Sequence, residues 1–250
     1  MKYGFAGDRQ LSVEILSFLI NEGYKPSFLI VGDSKSSSHK QELIKISGLE
    51  EKSIYNMSFM NDPKNADVLN DYEVDYIFGI HFPYIIYENV LSIPKIGFLN
   101  LHPAYLPYNK GWHTPSWAII DKKKYGATLH FMSEELDGGD IVAQAEIEVE
   151  PCFTANELYK NVLELEKKVF IDALPELVSL NPKRIQQSGK GTSYNKKALS
   201  RIQQIDMDNK ILPLELIDKL RALTTNDVNE AAYFIVDGKK YSIQVNIIAN

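Results

Sequence analysis

The sequence predicts an α/β protein with a doubly wound, mostly parallel sheet and a small C-terminal subdomain containing a β-hairpin. Three observations carry this. Short apolar runs alternate with segments of helical periodicity through the first half of the chain, the pattern of successive β-α-β units. A long amphipathic stretch follows at residues 155–180. Beyond it, Asp237-Gly238 stands between two alternating apolar segments, a strong signal for a two-residue hairpin turn.

The elements follow in order. Residues 2–6 read as a buried first strand, and Leu11, Ile15, Leu16 and Leu19 then recur at helical spacing. After Pro26, residues 27–31 (SFLIV) read as a second strand. Residues 34–38 are polar and turn-like, as expected of a mobile loop. Residues 75–80 and 97–101 are further strands. Pro103 cannot donate to a ladder, so the chain leaves the sheet there. Residues 126–132 and 141–149 alternate as strands on either side of Gly138-Gly139 and are expected to pair as antiparallel neighbours. The helix at 155–180 carries Leu158, Val162, Leu165, Val169, Leu174 and Leu177, with Pro182 marking its end. Residues 186–197 are polar, 214–223 form a short helix, and 233–247 form the hairpin. The expected organisation is a main domain over residues 1–187 and a subdomain over 188–250.

Composition narrows the class. Hydrophobic residues make up 44% and charged residues 24% of the chain, ordinary for a globular protein. The net charge of -6 argues against a nucleic-acid partner, because phosphate backbones require clustered Lys and Arg. The run Lys122-Lys123-Lys124 reads as a solvated turn. Cys152 is the one cysteine; it cannot form an internal disulfide, and it reads as a packing or surface residue. The start, MKYGFAGDRQ, lacks the long apolar run of a signal peptide, and no stretch of 18 apolar residues spans a membrane. A soluble, cytoplasmic protein with no membrane partner is expected. Gly4 and Gly7 do not complete a dinucleotide fingerprint, so bound NAD is not expected.

The chemistry concentrates in two segments. Residues 98–117 read FLNLHPAYLPYNKGWHTPSW. Asn100 and His102 are two apart at a strand end, so alternation puts both side chains on one face. In open α/β sheets, ligands gather at the carboxyl ends of strands. The second segment, EELDGGDI, places Asp137 before two glycines, 35 residues beyond His102. Together these residues suit transfer of an acyl group to an amine. The Asn100 amide can donate to a tetrahedral oxyanion. The His102 imidazole can exchange protons near neutral pH. The Asp137 carboxylate can orient that imidazole and stabilise its charged form. No metal or covalent intermediate is required.

Asn100-Leu101-His102-Pro103, Leu106-Pro107, Lys110-Gly111 and Leu136-Asp137-Gly138-Gly139 resemble the formyltransferases that use 10-formyltetrahydrofolate. The resemblance covers roughly residues 1–185 and implies the formyltransferase fold. It places Asn100, His102 and Asp137 on the catalytic positions, and it matches Gly126, Thr128 and His130 to the strand before the aspartate. Residues 78–86 (FGIHFPYII) fall where the folate-binding loop lies, which implies folate contacts for Gly79, Ile80, Phe82, Tyr84, Ile86 and Leu136. The segment HPAYLPYNKGWHTPSW is most similar to the nucleotide-sugar N-formyltransferases, especially those acting on dTDP-linked 4-amino-4,6-dideoxyglucose. The resemblance also implies a homodimer formed through the hairpin, since a lone two-stranded ribbon is marginal.

For the sugar nucleotide, Arg9 follows the first strand at a helix start, a natural diphosphate position. Tyr105, Tyr108 and Trp112 offer aromatic surface for a base or a deoxysugar. Lys110 can meet phosphate, and His81 can touch substrate. His113 is open between packing and ligand contact, and Trp112 and Trp117 are open between stacking and simple packing. Three folate-dependent rivals remain. A methionyl-tRNA formyltransferase should carry a longer, basic tail. A glycinamide ribonucleotide transformylase would lack the hairpin, and a formyltetrahydrofolate hydrolase has an extra N-terminal domain. A catalytically inactive folate or sugar-nucleotide sensor is the non-enzyme alternative, against which the intact Asn-His-Asp set argues.

Overall fold

The computed structural model describes residues 1–33, 37–82 and 86–249. Ser34, Lys35 and Ser36 of the expected loop therefore lie outside the described residues, as does Tyr84 of the expected folate contacts. In chain order the elements begin with β1 (Tyr3–Gly7), α1 (Arg9–Asn21), β2 (Phe28–Val31), α2 (Lys40–Ser47), β3 (Ile54–Asn56), α3 (Met57–Asn61) and α4 (Ala66–Asn70). Then come β4 (Tyr76–Ile80), α5 (Glu88–Leu91), β5 (Gly97–His102), β6 (Lys110–Gly111), α6 (Thr114–Asp121), β7 (Tyr125–Phe131) and β8 (Ile141–Ile147). The last are α7 (Ala155–Val178), β9 (Ser193–Tyr194), α8 (Pro213–Ala222), β10 (Ala232–Val236) and β11 (Lys239–Ile243).

The seven-stranded sheet has the order β3-β2-β1-β4-β5-β7-β8. From β3 to β5 every pairing is parallel, and β7 joins β5 antiparallel. The mostly parallel, doubly wound sheet read from the sequence is what the chain forms. Strand order reverses between β1 and β4, the switch point at which α/β sheets open a crevice. Every residue of β1, β2 and β4 is buried, as expected of strands covered on both faces.

The chain divides into two compact units: Met1–His102 with Thr128–Gln144 and Glu166–Gln187, and Pro103–Ala127 with Ala145–Leu165 and Ser188–Asn250. In the first, α1 starts at Asp8, whose carboxylate accepts from the Arg9 amide, and it buries Leu11, Ile15, Leu16 and Leu19. Phe28, Ile30, Ile77 and Phe98 share a core with Met57, Met60 and Val90. Phe78 sets its ring edge-on to Phe170 of α7, 5.4 Å between centroids. Each such aromatic removes a large apolar area from water, at roughly 25 cal/mol per Å².

In the second unit, Trp117 of α6 stacks on Tyr194 at 3.8 Å and packs with Leu199, Leu223 and Ala232. Arg221 of α8 is a buried tie. Its Nε donates to Asp218, and Nη1 donates to the carbonyls of Glu150, Pro151 and Phe153. Thr154 and Glu157 form a capping box at the start of α7. The hairpin turns at Asp237 and Gly238, both at positive φ, as the sequence pattern requires.

Most boundaries differ from expectation by a residue, and three by more. The hairpin expected over 233–247 ends at Ile243. The long helix ends at Val178, not residue 180. Pro175 lies in its closing turn, and Leu180 takes a left-handed conformation that stops the helix before Pro182 is reached. The strand expected to reach 149 ends at Ile147. Strands β3, β6 and β9 were too short to leave a readable alternation.

Candidate active site

Asn100, His102 and Asp137 all belong to the first unit. Strand β5 is six residues long with Asn100 and His102 at its carboxyl end, so period-two alternation places the amide and imidazole side by side. Asp137 follows β7, which returns antiparallel beside β5 and sets Asn100 opposite His130 and His102 opposite Thr128. Asp137 itself takes φ 49°, and the following turn brings its Oδ2 to 3.5 Å from His102 Nε2. That contact is too loose for a closed hydrogen bond. His102 Nε2 is buried and has no hydrogen-bond partner among the described residues.

Asn100 is held by an imidazole. Its Nδ2 lies 3.2 Å from His130 Nε2, while His130 Nδ1 lies 2.8 Å from the Phe131 carbonyl oxygen. A carbonyl can only accept, so Nδ1 carries the hydrogen. Nε2 then accepts from the Asn100 amide and fixes which way that amide points. One N–H of Asn100 is committed to His130, and the other is available to an oxyanion. Asp137 Oδ1 is 3.8 Å from the same His130 Nε2, so the carboxylate lies against both imidazoles.

The turn bearing Asp137 is built for close approach. A Cβ on Gly139 would stand 1.9 Å from the Phe131 carbonyl oxygen, which only glycine avoids. Gln187 Nε2 donates to the carbonyls of Asp137 and Gly139 at 2.7 and 2.8 Å. Gln187 was not singled out from the sequence. It lies 50 residues beyond Asp137, and no local pattern marks it.

The expected folate residues fall on β4 and after it. Gly79 pairs with Asn100 across the sheet. A Cβ there would stand 2.9 Å from the Phe98 ring and 3.8 Å from Asn100 Oδ1, so the bare glycine keeps the flank of the amide open. Ile80 and Ile86 are buried core residues, Phe82 is half-buried, and Leu136 is 56% exposed. His81 follows Ile80 at φ 50°, and its Nε2 meets both carboxylate oxygens of Glu166, at 3.2 and 3.0 Å. Arg9 is exposed at the first position of α1. The buried Asp8 carboxylate already accepts from the amides of Arg9 and Ser38. The start of this helix therefore carries its own anion, and Arg9 offers its side-chain charge alone.

Tyr105, Tyr108, Lys110 and Trp112 belong to the second unit. Lys110 and Gly111 form β6, which pairs parallel with Ser193 and Tyr194. Trp112 is 37% exposed with Lys196 Nζ 4.9 Å above its ring, whereas Trp117 is 6% exposed inside the core. The structure thus separates the two tryptophans: Trp117 packs, and Trp112 keeps an aromatic face accessible. Lys124 Nζ lies 5.1 Å over the Tyr105 ring, and Tyr108 is half-buried. His113 Nδ1 is 3.5 Å from a Glu230 carboxylate oxygen. Tyr194 donates to Asp121; its hydroxyl is pushed up to about 12, by burial first and by that carboxylate second.

Comparison with known proteins agrees with this geometry. The model of the formyl transferase family matches residues 28–174, and that of the N-formyltransferase dimerization C-terminal domain matches residues 198–249. A dTDP-4-amino-4,6-dideoxyglucose formyltransferase of Mycobacterium bovis is 25% identical over 184 residues, covering 72% of this chain and 75% of the relative. A methionyl-tRNA formyltransferase of Clostridium tetani is 31% identical over 192 residues, 74% of this chain and 62% of the relative. The crystal structure of a 4-N formyltransferase from Francisella tularensis has the same fold, with a TM-score of 0.85 at 23% identity, covering 100% of this chain and 98% of the other. With more than half of its length matched by the family model around Asn100, His102 and Asp137, the chain belongs to the formyl transferase family.

Proposed function

We propose that this protein transfers a formyl group from 10-formyltetrahydrofolate to the amine of a nucleotide-linked aminosugar, with dTDP-4-amino-4,6-dideoxyglucose as the best candidate. The single observation that carries the choice of acceptor is the C-terminal match at residues 198–249 to the dimerization domain of N-formyltransferases. The Mycobacterium bovis relative supports the dTDP-sugar. The C-terminal segment has few clustered cations, which disfavours a tRNA acceptor.

The residues present fit a folate formyl donor. A buried His102 Nε2 with no hydrogen-bond partner among the described residues, the uncommitted N–H of Asn100 and the open flank at Gly79 together leave hydrogen-bonding capacity beside the reacting carbon. His102 takes the proton of the attacking amine as its nitrogen bonds to the formyl carbon, and a proton passes to the folate nitrogen as the bond from that nitrogen to the formyl carbon breaks. Asp137 holds the imidazole and steadies its charge. Asn100 donates to the oxygen on which negative charge develops. The donor is bound by Gly79, Ile80, Phe82, Tyr84, Ile86 and Leu136. The sugar nucleotide is bound by Arg9, Tyr105, Tyr108, Lys110 and Trp112. Residues 1–187 form the catalytic domain and 188–250 the subdomain through which two copies associate. The enzyme works in the cytoplasm, and its product enters O-antigen or another surface polysaccharide.

The test is an activity screen with 10-formyltetrahydrofolate against dTDP-, UDP- and GDP-linked aminosugars, glycinamide ribonucleotide and methionyl-tRNA. Formylation of a dTDP-aminosugar is expected. Product from methionyl-tRNA alone would overturn the assignment. Tight binding of folate or sugar nucleotide with no turnover of any acceptor would favour a sensor.

A further inference from the structure

The segment that follows β5 carries Tyr105, Tyr108, Lys110 and Trp112, and it is fastened at two places within the second unit. Ala104, Leu106 and Asn109 are buried, whereas Tyr105, Tyr108 and Lys110 are half-buried and Trp112 is exposed. At the base of the segment, the Thr114 hydroxyl donates to the Pro103 carbonyl at 2.6 Å. Its outer turn is held by Thr192, which lies 83 residues beyond Asn109.

Thr192 uses every polar group it has. Its Oγ1 accepts from the Asn109 amide at 2.8 Å and approaches Asn109 Oδ1 more loosely, at 3.4 Å. Its carbonyl accepts from the Lys110 amide at 2.9 Å, and its own amide donates to the Pro107 carbonyl at 3.3 Å. Two residues on, the Tyr194 carbonyl accepts from the Trp112 amide at 2.9 Å. Gly191 permits the approach, because a Cβ there would stand 2.3 Å from the Pro107 carbonyl oxygen. Asn109 takes φ 56° with no solvent exposure, a conformation that persists where the surroundings over-determine it. The clasp is itself anchored. Tyr194 stacks on Trp117 at 3.8 Å and donates to Asp121 at 2.7 Å. A pairing as short as that of β6 with β9 is marginal by itself. Here Tyr194 pins it to α6 at one end, and the Thr192 hydroxyl pins it at the other.

We propose that Thr192 is a positioning residue for the acceptor: it holds Asn109 and so fixes the surface of Tyr105, Tyr108, Lys110 and Trp112 before the sugar nucleotide binds. The inference rests on the sugar-nucleotide reading above. It gives the start of the C-terminal segment a part in acceptor binding, separate from the association of two copies. A preformed surface avoids the ordering cost that a loose loop incurs when it binds.

Two variants of the full-length protein test this. Thr192→Val keeps the branched shape but loses the hydroxyl, and Thr192→Ser keeps the hydroxyl. Both should hold the parent melting temperature to within a few degrees. In the ligand-free protein, hydrogen exchange at the Asn109 amide should be about tenfold faster in Thr192→Val and parent-like in Thr192→Ser. With 10-formyltetrahydrofolate and dTDP-4-amino-4,6-dideoxyglucose, Thr192→Val should raise KM for the sugar nucleotide by about tenfold, with KM for the formyl donor and kcat little changed. Thr192→Ser should restore the parent value. Parent-like KM or parent-like exchange in folded Thr192→Val would overturn the inference. So would a fall in kcat with a rise in both KM values, or loss of the fold, either of which would make Thr192 merely structural. A parent that formylates no nucleotide-linked aminosugar would defeat the sugar-nucleotide reading and this inference with it. An active parent beside an equally effective Thr192→Val would defeat only the inference.

Discussion

Asn100 donates its side-chain amide to His130 across the β5–β7 ladder, at 3.2 Å. This bond decides the orientation of the group assigned to the oxyanion. Asn100→Ala should cost about 2.7–4 kcal/mol of transition-state stabilisation, the range for loss of one oxyanion donor. His130→Phe should leave Asn100 in place but free to rotate, and turnover should fall by at least about tenfold. Both are read as kcat with saturating 10-formyltetrahydrofolate and aminosugar. Parent-like rates would remove the oxyanion role from Asn100 or the orienting role from His130.

His102→Asn and Asp137→Asn should each lower kcat by about a hundredfold or more with the fold intact, in line with loss of a general acid–base group. Because the two act as a unit, the double variant should be little worse than the worse single variant. Near-full activity in either single variant would show the mechanism to be wrong, and fully additive losses would show that the groups act separately.

Gln187 holds the Asp137 turn by its backbone. Gln187→Leu should lower kcat by about tenfold through misplacement of the carboxylate, with a small change in melting temperature. Gly139→Ala drives a methyl into the Phe131 carbonyl and should be worse on both counts. An unchanged kcat for Gln187→Leu would show that the turn needs no tether.

Arg221→Met tests the second unit. The change strips a buried guanidinium from Asp218 and from three backbone carbonyls. Leaving a buried carboxylate short of its partner should cost about 3–5 kcal/mol. The melting temperature should drop by on the order of 10 °C. Lys122 also reaches Asp218, at 2.9 Å, so Lys122→Met should cost much less. Equal effects would contradict the assignment of Arg221 as the tie.

The hairpin offers a test of association. Ile235 and Tyr241 are 47% and 45% exposed in the single chain, and a ribbon of this kind is marginal without something to pack on. The parent should run as a dimer in light scattering at micromolar concentration, and Ile235→Glu should run as a monomer with its secondary structure retained. A monomeric parent would refute the dimer.

Most of the first-half strands and helices were legible because their cause is local. Residues 28–31 and 76–80 are apolar throughout, and Leu11, Ile15, Leu16 and Leu19 keep one helical face. Strands β3, β6 and β9 were not legible, because two or three residues carry no periodicity. Pro175 marks a different limit. Proline usually ends a helix, yet here α7 runs through it and stops three residues later.

The sequence by itself determined that Asn100 and His102 would be presented together, since two residues along a strand is one full pleat. It also determined the hairpin at Asp237-Gly238, because that turn needs two residues that tolerate positive φ. Tertiary structure alone decided that Asp137 would return to His102, that His130 would face Asn100, and that Glu166, 85 residues away, would bury itself against His81. The physical reason is range. Backbone periodicity acts over a few residues, whereas these meetings depend on strand order, on the antiparallel entry of β7, and on which buried polar groups find partners once the core closes.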